Sequence, residues 1–165
     1  MNRSLLYLLV LEAGFVLEAA IRHLPLATVR VDVAWVLVLY LGFYVEFFPG
    51  GLWVLAIGLA QESLGVPFHG ILPFSYLIIY SFLRMTHQHL FFQKGTPQVL
   101  WVIILTFLQK GIEMGLLFLQ GYGLVYQNSM DLLHLALTAL VQGLLSLILF
   151  PLLKKGDKIS PRYAT

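Results

Sequence analysis

The stretch Arg30–Phe48, RVDVAWVLVLYLGFYVEFF, decides the fold class. From Val33 to Phe48 it carries one formal charge, Glu46, and Pro49-Gly50-Gly51 follows at once. Such a run suits a helix in an apolar medium, closed by residues that break helices. Working outward, similar runs fill the chain on both sides. Hydrophobic residues make up 59% of the 165, and Asp, Glu, Lys and Arg only 11%. An average soluble domain carries about 25% charged residues, enough to cover its surface. The charges here are too few for that, so lipid is the expected solvent for most of the chain.

At roughly 20 residues per crossing, six spans use up the length and leave no room for a soluble domain. The expected fold is an all-α, polytopic membrane helix bundle, a single transmembrane domain over residues 1–165. The spans are read at about 4–21, 33–48, 52–64, 70–84, 97–119 and 130–153. Pro97 is placed as a helix-starting residue. The run after Arg3 resembles a signal peptide superficially. It contains Glu12 and Glu18 and lacks a small-x-small cleavage site, so it reads as a retained helix. Segment 52–64 is short and competes with a re-entrant reading. Charge placement favours a crossing. With six spans, Arg3, Arg84, Lys94, Lys154, Lys155, Lys158 and Arg162 gather on one side, leaving Arg22 and Arg30 on the other. The positive-inside bias then puts both termini in the cytoplasm.

Charged groups at bilayer depth cost about 3 kcal/mol on insertion scales, so each needs a reason. Glu12 is near the middle of the first segment, with Glu18 nearer its outer end. Glu46 and Glu62 fall near the ends of the second and third. Glu18, Glu46 and Glu62 are placed where they reach water. Lys110 lies near the middle of the fifth segment, one turn before Glu113. Two readings stay open for it: an intrahelical pair with Glu113, or an interhelical pair with Glu12. Gln61, Gln109 and Gln142 read as interhelical glue. Gly42, Gly58, Ala56, Ala60, Gly111 and Gly115 permit close helix approach, the last two as a G-x-x-x-G. Phe47, Phe48, Trp53, Phe91, Phe92, Trp101, Tyr122 and Tyr126 collect near span boundaries, as interfacial aromatics do.

No motif points to catalysis. There is no cysteine, so thiol chemistry and disulfides are excluded. His87 and His89 are two apart, on different helix faces, and no acidic residue lies near them. His23, His69 and His134 stand singly. No phosphate loop, nucleophile elbow or paired-carboxylate motif occurs. Neither an enzyme nor a cofactor or metal site is expected. The net charge of +2 gives no sign of a nucleic-acid partner.

Several stretches together resemble MreD, the bacterial rod shape-determining membrane protein family. Arg30-Val31-Asp32 before Val33–Tyr40 is similar to that family's basic-x-Asp entry into its second helix. GLAQESLGVPFHG, Gly58–Gly70, is similar to its helix end with an acidic residue and a Gly-small-Pro-x-Gly-type turn; Glu62 stands where Asp is commoner. Arg84 closes segment four where the family has a basic loop. Leu149–Lys155 matches an apolar-Pro-apolar-basic exit, and Gln142 replaces a small polar residue. The resemblance covers nearly the whole chain. It implies a non-catalytic scaffold of the cell-elongation machinery in the inner membrane. Its implied partners are an MreC-like single-span protein, wall-synthesis enzymes (RodA and a transpeptidase), MreB filaments and membrane lipid. Glu12, Asp32, Glu62, Gly65, Pro67, Gly70, Lys110, Glu113 and Gln142 are the structural or partner-binding candidates. The basic tail from Lys154 to Arg162 either sets topology alone or meets anionic lipid or an acidic filament surface. The family's fold resembles the substrate-binding subunits of energy-coupling vitamin transporters, which supplies a second reading: capture of a small molecule near Glu18, Gln61, Glu62 and Glu113.

Overall fold

A computed structural model of the protein describes residues 3–22, 32–63, 70–86, 96–121 and 132–158. Six α-helices and no strand occur among these residues. They are α1 (Arg3–Arg22), α2 (Val33–Tyr44), α3 (Phe47–Ser63), α4 (Ile71–Thr86), α5 (Thr96–Leu119) and α6 (Leu132–Lys158). Of these, α5 and α6 contain stretches long and apolar enough to cross a membrane, Pro97–Leu119 and Leu133–Lys155; α2 and α4 are apolar but shorter.

Helix α2 has no polar side, the pattern of a helix enclosed by other helices or by lipid; here it is other helices. Every residue from Val33 to Phe43 is buried. The helix packs directly on α1, α3, α4 and α6, and a hydrogen bond from Trp35 reaches α5. At 12 residues it is about 18 Å long. Helix direction alternates along the chain. Gly14 of α1 lies on Val33 while Tyr7 meets Tyr40, so α1 and α2 run oppositely. The end of α3 meets the start of α4 through Glu62 and Gly70. Gly143 of α6 approaches Val99 and Ile103 of α5. The bundle thus has an Asp32 end, where α2, α4 and α6 begin, and a Phe150 end.

At the Phe150 end the packing is aromatic. The Tyr40, Phe43 and Tyr44 rings surround Phe150, with centroids 5.6, 6.2 and 6.1 Å away. Lys154 Nζ lies 4.8 Å from the Tyr44 ring centroid, a cation–π contact. Trp53, read as an interfacial aromatic, packs edge-on against Tyr7 at 5.8 Å.

Three boundaries differ from the sequence reading. The second segment ends at Tyr44, not Phe48, and Val45 and Glu46 make the break. Phe47, Phe48, Pro49 and Gly50 belong to the start of α3, which has 17 residues. Pro49 was read as a terminator. In a first turn its missing N–H is no loss, so it starts a helix equally well. The break is held from α4: the Tyr80 hydroxyl lies 3.0 Å from the carbonyls of both Glu46 and Phe47, donating to one at a time. The sixth helix does not stop at Leu153 but runs through Pro151 to Lys158. Proline there forfeits one intrahelical hydrogen bond, and the remaining bonds carry the helix on.

One close approach depends on glycine. A Cβ on Gly58 would lie 2.5 Å from Pro73 Cα, a backbone atom that cannot swing aside. Gly111, by contrast, has open space around it. Gly58→Leu is therefore expected to destabilise the purified protein by about 1–3 kcal/mol. Gly111→Leu should change stability by no more than about 0.5 kcal/mol. Thermal unfolding in detergent reads both; equal losses would refute the α3–α4 contact.

Candidate functional site

A set of polar residues toward the Asp32 end of the bundle is joined by hydrogen bonds. Asp32 caps α2. Its Oδ1 accepts the Trp35 backbone N–H at 2.9 Å, satisfying one of the free amides of the first turn. Its Oδ2 accepts the Tyr76 hydroxyl of α4 at 3.1 Å. The rings of Trp35 and Tyr76 lie 5.4 Å apart. The indole Nε1 of Trp35 donates to Thr106 Oγ1 of α5 at 3.0 Å. That hydroxyl lies 2.8 Å from Gln142 Oε1 of α6 and 2.8 Å from its own helix's Val102 carbonyl. Its one proton serves either acceptor. One chain of hydrogen bonds therefore links α4, α2, α5 and α6.

Charge gathers around this chain. Glu18 of α1 and Lys110 of α5 lie within electrostatic reach of Asp32, and Glu113 and Glu18 within reach of Tyr76. Lys110 Nζ donates to Glu113 Oε2 at 2.6 Å, and Gln109 Nε2 donates to Glu113 Oε1. Of the two partners the sequence offered Lys110, the structure takes the intrahelical one. The interhelical pair with Glu12 does not form: Glu12 is exposed on α1, which packs on α2 and α6. The i, i+3 spacing explains the outcome, since one turn brings the two side chains together whatever the rest of the fold does.

Glu62 was expected to reach water and does not. It is buried, and both its oxygens accept the backbone N–H of Gly70, at 2.7 and 2.8 Å. Gly70 has φ +94°, a conformation that favours glycine. Its carbonyl accepts Phe74 N–H as α4 begins. A carboxylate at that position also suits the positive end of the α4 dipole. Glu62 and Gly70 thus tie the end of α3 to the start of α4; Gly65 and Pro67 lie outside the described residues, as do His23, His69, His87 and His89. Beside Glu62, Gln61 Oε1 is buried without a hydrogen-bond partner among the described residues. Lower in the bundle, Gln98 Nε2 donates to the Ser146 carbonyl at 2.9 Å, a further α5–α6 joint.

Asp32, Lys110, Glu113 and Gln142 are thus brought into one layer. Glu62 and Gly70 form a separate clasp, and Glu12 stands apart. Trp35, Tyr76 and Thr106, which complete the layer, were missed by the sequence reading. The available signal was the isolated polar atom of each within an otherwise apolar run. Among the described residues, no group of three or more His, Asp or Glu could hold a metal ion.

The Thr106 hydroxyl is the hub, and its loss should cost more than that of its neighbour. Thr106→Val leaves the Trp35 indole and Gln142 Oε1 without their partner, an expected loss of about 1–3 kcal/mol. Gln142→Leu lets the hydroxyl fall back on Val102, so its cost should be about 1 kcal/mol or less. Unfolding of the two variants and their double mutant decides it; equal single losses that simply add would contradict a shared chain. Set against family models, curated proteins and solved structures, the chain matches none of them.

Proposed function

We propose that the chain is a non-catalytic, six-span scaffold of the bacterial inner membrane, with both termini cytoplasmic. In this reading it maintains rod shape by binding an MreC-like single-span protein, coupling lateral wall synthesis by RodA-type and transpeptidase enzymes to MreB filaments. The observation that carries the reading is the use made of buried and half-buried polar groups. Asp32, Tyr76, Trp35, Thr106 and Gln142 are engaged in holding four helices together, as a rigid framework needs. The resemblance of the Arg30–Asp32, Gly58–Gly70 and Leu149–Lys155 stretches to the MreD family supports it. Alternating helix direction and the basic exit after Leu153 suit six crossings with the cytoplasm at the Phe150 end.

A second reading has one observation in its favour. Gln61 Oε1, buried and without a hydrogen-bond partner among the described residues, lies near the end of α3, among the groups expected to line a capture pocket in a vitamin-transport subunit. Purification from native membranes separates the two. The scaffold brings down a single-span wall-synthesis protein; a capture subunit brings down an ATPase module or a bound vitamin.

The Glu62–Gly70 clasp supplies a functional test. Glu62→Ala removes the acceptor of the Gly70 amide and should destabilise the start of α4 by about 1–2 kcal/mol. Rod-shaped host cells relying on that variant are expected to widen or round up. Normal cell shape at a normal protein level would count against the scaffold reading.

A further inference from the structure

Glu12 stands at the midpoint of α1, nine residues after Arg3 and ten before Arg22. If α1 crosses a bilayer, the carboxylate is about 14 Å from either end of the helix, near the middle of the hydrocarbon. The other described ionisable groups within the helices are accounted for or lie near an end. Lys110 and Glu113 hold each other, and Glu62 is held by Gly70. Glu18 lies near the end of α1 and within reach of the Asp32 layer. Glu12 alone among them is at mid-helix, exposed, and without a hydrogen bond or ion pair to any described residue.

Its surroundings are those of an interface. Tyr7 and Gly14 turn inward, onto Tyr40 and Val33. Leu5, Leu8, Leu9 and Val16 are exposed and share the Glu12 face by helical spacing. A carboxylate in an apolar helix face is tolerated when a cation or donor at the same depth meets it. We infer that this face of α1 is the docking site for another membrane-crossing helix, one that carries a Lys, Arg or His near its midpoint opposite Glu12. The inference rests on the scaffold reading and names the helix face and the chemistry of its single-span partner. A second copy of this chain is the poorer occupant. A two-fold α1–α1 contact sets Glu12 against Glu12, and the mid-helix cation of a second copy, Lys110, is already engaged by Glu113.

The test uses the full chain in lipid vesicles with synthetic Leu/Ala peptides of roughly 20 residues, long enough to span. The peptides carry a central Lys, Leu or Glu, and binding is read by energy transfer from labelled protein to labelled peptide. The Lys peptide should bind about tenfold more tightly than the Leu peptide, the upper range for one intramembrane polar contact. Glu12→Leu should erase that preference, and Glu12→Lys should transfer it to the Glu peptide. Equal binding of Lys and Leu peptides, or a preference that survives Glu12→Leu, overturns the α1 site while leaving a scaffold that binds elsewhere. Energy transfer between two labelled copies that Glu12→Leu abolishes also overturns it, in favour of self-association. A protein that does not enter vesicles at all overturns the membrane reading beneath both.

Discussion

The structure depends on the burial of α2. This helix of 12 residues has no polar side, and every residue from Val33 to Phe43 is buried, so its neighbours enclose it along its length. Four helices touch it along its length, and the fifth reaches it by the Trp35–Thr106 hydrogen bond. The two ends are finished differently. At one, Asp32 satisfies an amide of the first turn and reaches out to Tyr76. At the other, the chain breaks at Val45–Glu46, and Tyr80 serves the carbonyls of the break.

Hydrogen bonds then do what apolar contact alone cannot. In lipid, apolar side chains gain little by leaving one neighbour for another, so packing and polar joints decide which helices meet. The Asp32 end is organised by such joints, each using an atom that would otherwise be stranded. The Phe150 end relies on ring packing around Phe150 and on the Lys154–Tyr44 contact where the basic exit begins. Hydrogen bonds occur at both ends, Tyr80 and Gln98 supplying them toward Phe150, and ring packing is added at that end.

Local features were legible in the sequence and distant pairings were not. Pro97 marks the start of α5, and the Lys110–Glu113 pair follows from helical spacing alone. Asp32 and Gln142 were singled out as polar atoms in apolar surroundings, but not for their partners. Tyr76 is 44 residues from Asp32, Thr106 is 71 from Trp35, and Gln142 is 36 from Thr106. No periodicity encodes contacts at those separations; only the packing of α2 brings them together. The boundary between α2 and α3 failed for another reason. Pro49-Gly50-Gly51 is compatible with ending one helix or starting the next, and the choice is made by Tyr80, more than 30 residues away. Glu62 and Gly70 fell within one quoted stretch, yet their clasp depends on the positive φ of Gly70, which composition does not reveal.

The central claim is that lipid surrounds this bundle and that its helices cross it in alternation. The chain has no cysteine, so single thiols can be placed without background. Cysteines at Ser63 and Gln120 should react with an impermeant reagent in intact spheroplasts, and cysteines at Phe47, Met85 and Lys155 only after the membrane is opened. Reaction of Phe47 and Ser63 positions from the same side, or of all five without opening, would contradict the account.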